Sequence, residues 1–116
     1  MSGLSSVGRV AASSVATATL TVQTAGEGFT DISRDVARFL KEAGARDGAA
    51  FLFLRHTSAS LTIQENADPD VQTDLRTALR RLAPEDAAWV HVIEGPDDMP
   101  SHAKAMLTGV SLHVPV

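Results

Sequence analysis

Two stretches of this sequence gather side chains capable of chemistry. "HTSASLTIQENADPDV", His56 to Val71, sets a histidine, three small hydroxyl residues (Thr57, Ser58, Ser60) and the carboxylates of Glu65, Asp68 and Asp70 directly after the apolar run "AAFLFL". "HVIEGPDDMPSH" then brackets Glu94, Asp97 and Asp98 with His91 and His102. Zinc commonly takes three neutral imidazoles and a water, from ligands mounted on rigid elements far apart in sequence. His56, His91 and His102 supply that number. Neither H-x-x-x-H nor H-E-x-x-H occurs, so by spacing alone histidines bonded to backbone are the reading favoured over a metal site. Glu65 falls at the end of an expected strand, where it can orient His56 or act as a general acid or base. Thr57, Ser58 and Ser60 can donate hydrogen bonds to a phosphate, or can simply serve a tight turn. Asp68 and Asp98 read as helix caps. No glycine-rich phosphate loop of the P-loop or Rossmann kind is present.

The elements that must position these groups follow from periodicity. "SVATATLTVQTA", Ser14 to Ala25, alternates and is rich in Thr and Val, predicting a half-buried strand turned by Gly26 and Gly28. From Thr30 or Asp31, a helix places Ile32, Val36, Phe39, Leu40 and Ala43 on one face and ends at Gly44. "AAFLFLRH", Ala49 to His56, is apolar at successive positions and predicts a strand covered on both faces. "SLTIQEN" resumes alternation, so the two strands are expected to form a hairpin. Asp68-Pro69 opens a second helix with Val71, Leu75, Ala78, Leu79 and Leu82 on one face. "AAWVHVIEG" predicts a strand, "PDDMPSHAKAMLTG" a short helix opened by Asp98 and Pro100 and closed by Gly109, and "VSLHVPV" a last strand. His113, between Leu112 and Val114, reads as a strand residue facing solvent or a subunit neighbour. The order implies an α+β fold with a mixed or largely antiparallel sheet packed with helices.

Composition bounds the function. The chain has 116 residues, enough for one domain, read as a loose tail over 1–13 and a folded unit over 14–116. No apolar run approaches the roughly 20 residues needed to cross a bilayer, and no secretory signal is apparent, so a soluble, cytoplasmic protein with no membrane partner is expected. Cysteine is absent, which excludes a thiolate nucleophile and leaves His, Asp and Glu to build any transition-metal site. A net charge of -4, one tryptophan and no tyrosine argue against a nucleic-acid partner.

The segments "HTSASLTIQENADPDVQTDL", "HVIEGPDDMPSHAKAML" and "GVSLHVPV" resemble the YjbQ-like family, a family of secondary thiamine-phosphate synthase-like proteins, over Leu20 to Val116 and most strongly from His56 onward. The resemblance implies a small α+β domain assembling as a homotrimer. It matches His56, His91 and His102 to the family's histidines, Glu65, Asn66 and Asp68 to its E-N-x-D, and Lys104 to a frequent basic position. It also implies a pocket holding a divalent metal, zinc or magnesium, with a phosphorylated small molecule or anion as partner. The implied activity joins a pyrimidine diphosphate to a thiazole phosphate and releases pyrophosphate; the alternative is a non-catalytic, metal- or anion-binding trimer. Members continue past "SLHVPV" through a turn and a strand carrying G-T-W-Q. The expectation is therefore a C-terminally truncated domain with an unpaired strand edge and a weakened pocket.

Overall fold

Asp68 accepts a 2.9 Å hydrogen bond from the Asp70 amide, and Pro69 occupies the first helical position, where no amide donor is needed. This local chemistry opens one of three helices in the computed structural model, which describes residues 3–9 and 11–116. In chain order the elements are α1 (Ser33–Glu42), β1 (Ala49–Phe53), α2 (Pro69–Leu82), α3 (Asp98–Thr108) and β2 (Ser111–Pro115). The protein is a small single-domain α+β fold.

α1 forms where expected. Ile32, Val36, Phe39 and Leu40 make its half-buried stripe. Asp31 accepts from the Ser33 amide at 2.8 Å, and Gly44, at φ 66°, lets the chain leave the helix in a conformation an L side chain resists. α2 buries Val71, Leu75 and Leu79 in part, while Ala78 and Leu82 stay exposed.

The sheet differs from the sequence expectation. β1 pairs antiparallel with β2, in a register running from Ala49↔Pro115 to Phe53↔Ser111. The hairpin expected between 49–56 and 60–66 does not form. After Leu54, whose amide bonds the Val110 carbonyl at 2.8 Å, the chain turns at His56 to Ser58, and "SLTIQEN" contributes a single amide bond, Leu61 to the Gly109 carbonyl at 3.0 Å. Adjacency in sequence gave way to "SLHVP", whose five residues pair with β1 along its whole length. β1 is also covered on one face only: Ala50 is buried and Leu52 half-buried, whereas Phe51 and Phe53 are 75% and 70% exposed. A two-stranded sheet with one covered face returns the period-2 pattern that the continuous apolar run concealed.

Two further expected strands are absent. Ser14 to Ala25 runs exposed and without a ladder, since Thr/Val alternation is only a propensity until a sheet edge satisfies the backbone. Of the tail read over 1–13, Met1, Ser2 and Val10 lie outside the described residues. "AAWVHVIEG" forms turns instead of a strand. Trp89 donates from its ring to the Pro84 carbonyl at 2.8 Å and from its backbone to the Ala87 carbonyl at 2.7 Å, which bends the segment. Val90 and Ile93 are left almost wholly exposed.

The buried apolar interior among the described residues is small: Ala50, Ala83 and Ala105, together with Pro100. The radius of gyration is 17.9 Å, against roughly 13 Å for a compact domain of about 100 residues. No helix among the described residues is long and apolar enough to cross a membrane.

Candidate metal centre

α3 starts one residue earlier than its capping chemistry would require. Asp97 holds the cap position and makes no side-chain cap bond, so Asp98 becomes the first helical residue. The reading of Asp98 as a cap is thereby corrected. Its carboxylate points along the helix to His102, one turn on, where i and i+4 side chains share a face. His102 Nε2 lies 3.0 Å from Asp98 Oδ2. The turn-rich segment before α3 brings His91 to the same oxygen, with Nε2 at 2.8 Å. The two imidazoles meet edge to face, centroids 5.7 Å apart.

A third contact fixes the outer ring nitrogen. His102 donates from Nδ1 to the Thr57 carbonyl at 2.7 Å, a link across 45 residues of sequence. With both nitrogens facing oxygen acceptors, the charged form of His102 is favoured. Its pKa is raised, chiefly by the Thr57 carbonyl and further by Asp98, against opposition from burial. Asp98 is held below the ordinary carboxylate range, chiefly by the hydrogen bond from His91, with His102 adding to it.

The same geometry suits a metal. One donor atom from each of His91, Asp98 and His102 lies within 4.8 Å of the other two. Tetrahedral bonds of about 2.0–2.1 Å separate donors by roughly 3.3 Å, so a small opening of the group would admit an ion and leave a fourth position free. The Thr57 carbonyl already holds the Nδ1 proton, which leaves Nε2 as the ligand atom once its proton departs.

The cluster stands between two hollows. His91 lines one of about 290 Å³, together with Glu85, Trp89 and Pro96. His102 lines the other, about 590 Å³, with Arg55, His56, Thr57 and Met106. His56 thus neighbours the group without joining it. Its Nδ1 accepts from the Ser58 amide at 3.0 Å, with the Ser58 hydroxyl also at 3.0 Å, which leaves Nε2 as the ring nitrogen free to donate.

Several of the other expected site residues lie elsewhere. No hydrogen bond joins Glu65 to His56, because the hairpin meant to bring them together is not formed. Asn66 donates to Asp31 at 2.8 Å and accepts from Gln72 at 2.7 Å, tying the start of α1 to α2. Ser60 is exposed. Lys104 pairs with Glu27 at 3.0 Å. Thr57 contributes its carbonyl in place of its hydroxyl.

Residues 18–116 match the family model described as UPF0047 protein YjbQ-like. The chain belongs to this family. Among curated relatives, UPF0047 protein sll1880 of Synechocystis sp. is 43% identical over 98 residues, covering 84% of this chain and 67% of that protein. UPF0047 protein YjbQ of Salmonella typhimurium is 51% identical over 69 residues, covering 60% of this chain but only 50% of its own length. A crystal structure of an uncharacterized YjbQ/UPF0047 protein from Clostridium acetobutylicum superposes with a TM-score of 0.75 at 34% identity, covering 82% of this chain and 72% of that one. In this YjbQ-like chain, Asp98 is the residue that sequence reasoning did not place in the site. The signal was available in D-x-x-x-H, which on a helix sets a carboxylate beneath an imidazole.

Proposed function

We propose that this chain binds a divalent transition metal through His91, Asp98 and His102 and presents it to a phosphorylated substrate lying toward His56. The observation that carries this reading is the convergence of both histidine Nε2 atoms on Asp98 Oδ2, at 2.8 and 3.0 Å. Two imidazoles and one carboxylate favour zinc over magnesium, which prefers all-oxygen surroundings. The reaction is the one the family resemblance implied: joining a pyrimidine diphosphate to a thiazole phosphate with release of pyrophosphate. A bound ion would supply charge neutralisation for the departing pyrophosphate. His56 contributes an Nε2–H that donates toward an anion, and Arg55 adds a positive charge along the same hollow.

The chain spans only half to about two-thirds of the two curated relatives described above. A second reading, non-catalytic metal binding within a homotrimer, draws support from two features. Lys104 is engaged by Glu27, and Phe51 and Phe53 present apolar surface of the kind subunits cover. Zinc-loaded protein supplied with both phosphorylated substrates separates the two. The transferase reading expects pyrophosphate release that is lost in His56→Ala with the fold intact. Zinc-dependent thermal stabilisation with no pyrophosphate release selects the second reading.

A further inference from the structure

Glu27 spans two helices with one carboxylate. Its Oε1 lies 2.7 Å from Arg80 Nε in the last turn of α2, and its Oε2 lies 3.0 Å from Lys104 Nζ in α3. Sequence separations of 53 and 77 residues make this a contact of tertiary structure. Lys104 follows His102 by two positions, roughly 200° around the helix, so the pair faces away from the metal centre. It forms a separate site.

Three details mark the carboxylate as a replaceable occupant. Arg80 uses only Nε toward Glu27; among the described residues its terminal guanidinium nitrogens make no hydrogen bond. Arg76, one turn earlier on α2, adds a second guanidinium to that helix face with no ion pair among the described residues. One carboxylate therefore stands against more cationic charge than it neutralises. Glu27 is also flanked by Gly26 at φ 91° and Gly28 at φ 156°, conformations that L side chains rarely adopt. These residues give the segment backbone freedom to swing.

We propose that Arg80 and Lys104 form a binding site for a phosphate-type oxyanion, and that Glu27 occupies it in cis until such an anion displaces it. A phosphate dianion brings more charge and a third terminal oxygen to a fork and an ammonium that the carboxylate fills incompletely. The Gly26–Gly28 segment then moves off α2 and α3.

Inorganic phosphate titrated calorimetrically into the full chain tests this. Glu27→Gln, which removes the competing charge, is expected to tighten phosphate binding by roughly tenfold or more. Adding Lys104→Gln to that variant is expected to abolish the gain. Equal affinity in wild type and Glu27→Gln overturns the proposal, as does a gain that survives Lys104→Gln. Should Glu27→Gln not fold, the Arg80 Nε–H resonance of the wild-type chain is followed instead. It is expected to shift saturably with phosphate, and an unmoved resonance up to the solubility of phosphate overturns the proposal. Zinc binding reads the other site, so failure of either leaves the other standing.

Discussion

His102 donates its Nδ1 proton to the main-chain carbonyl of Thr57 at 2.7 Å, which joins α3 to the turn that follows β1. Because the acceptor is backbone, the Thr57 side chain is dispensable for this contact while its placement is not. The link orients the ring and leaves Nε2 to whatever Asp98 shares it with, a proton or a metal ion.

If the cluster binds zinc, competition against a chromophoric chelator should give one ion per chain. Asp98→Ala should then lower affinity by more than the roughly 10- to 100-fold typical of losing a supporting partner. His56→Ala should leave affinity unchanged. Equal losses for the two variants would move His56 into the ligand set.

The metal-free cluster should respond to pH on both sides. His102 has a raised pKa, so its contribution to stability is complete below the ordinary 6.5 and fades as pH climbs through the higher folded value. Asp98 has a lowered pKa, so its contribution is complete above the ordinary 3.8 and is lost as pH falls through the lower folded value. A histidine proton NMR titration should place His102 above 6.5, and Asp98→Asn should pull it down. Thr57→Val should not, because the carbonyl remains.

Asp68 offers a test of local structure away from the cluster. Asp68→Ala removes the acceptor for the Asp70 amide and should cost about 1 kcal/mol in urea unfolding. Asp68→Asn should recover most of it. No loss in the alanine variant would mean that α2 is held by tertiary contacts alone.

The homotrimer reading predicts that sedimentation reports three chains. Replacing Phe51 and Phe53 by serine should then release monomer, since the exposed face of β1 is the apolar surface offered. A wild-type chain that sediments as a monomer removes the reading.

The helices were legible in the sequence because their signals are local. Asp68-Pro69, the stripe from Ile32 to Leu40, and Gly44 each act within a turn or two. Sheet pairing was not, because it depends on competition among segments: "SLTIQEN" and "VSLHVPV" carry similar alternation, and only the fold decides which of them meets "AAFLF". The site divided the same way. His91 and His102 were visible by residue type. Asp98 was hidden by a sufficient structural explanation that a shift of one residue in the helix start removed. Glu65 was drawn toward His56 by a hairpin that did not form.

Trp89 and His91 line the same hollow, and Trp89 is the single tryptophan of a chain that has no tyrosine. The indole is bonded to the Pro84 carbonyl and half-buried. Its emission therefore arises from one defined environment beside the cluster. The protein carries an intrinsic fluorescence reporter, and a change at His91 can be followed optically, without any added label.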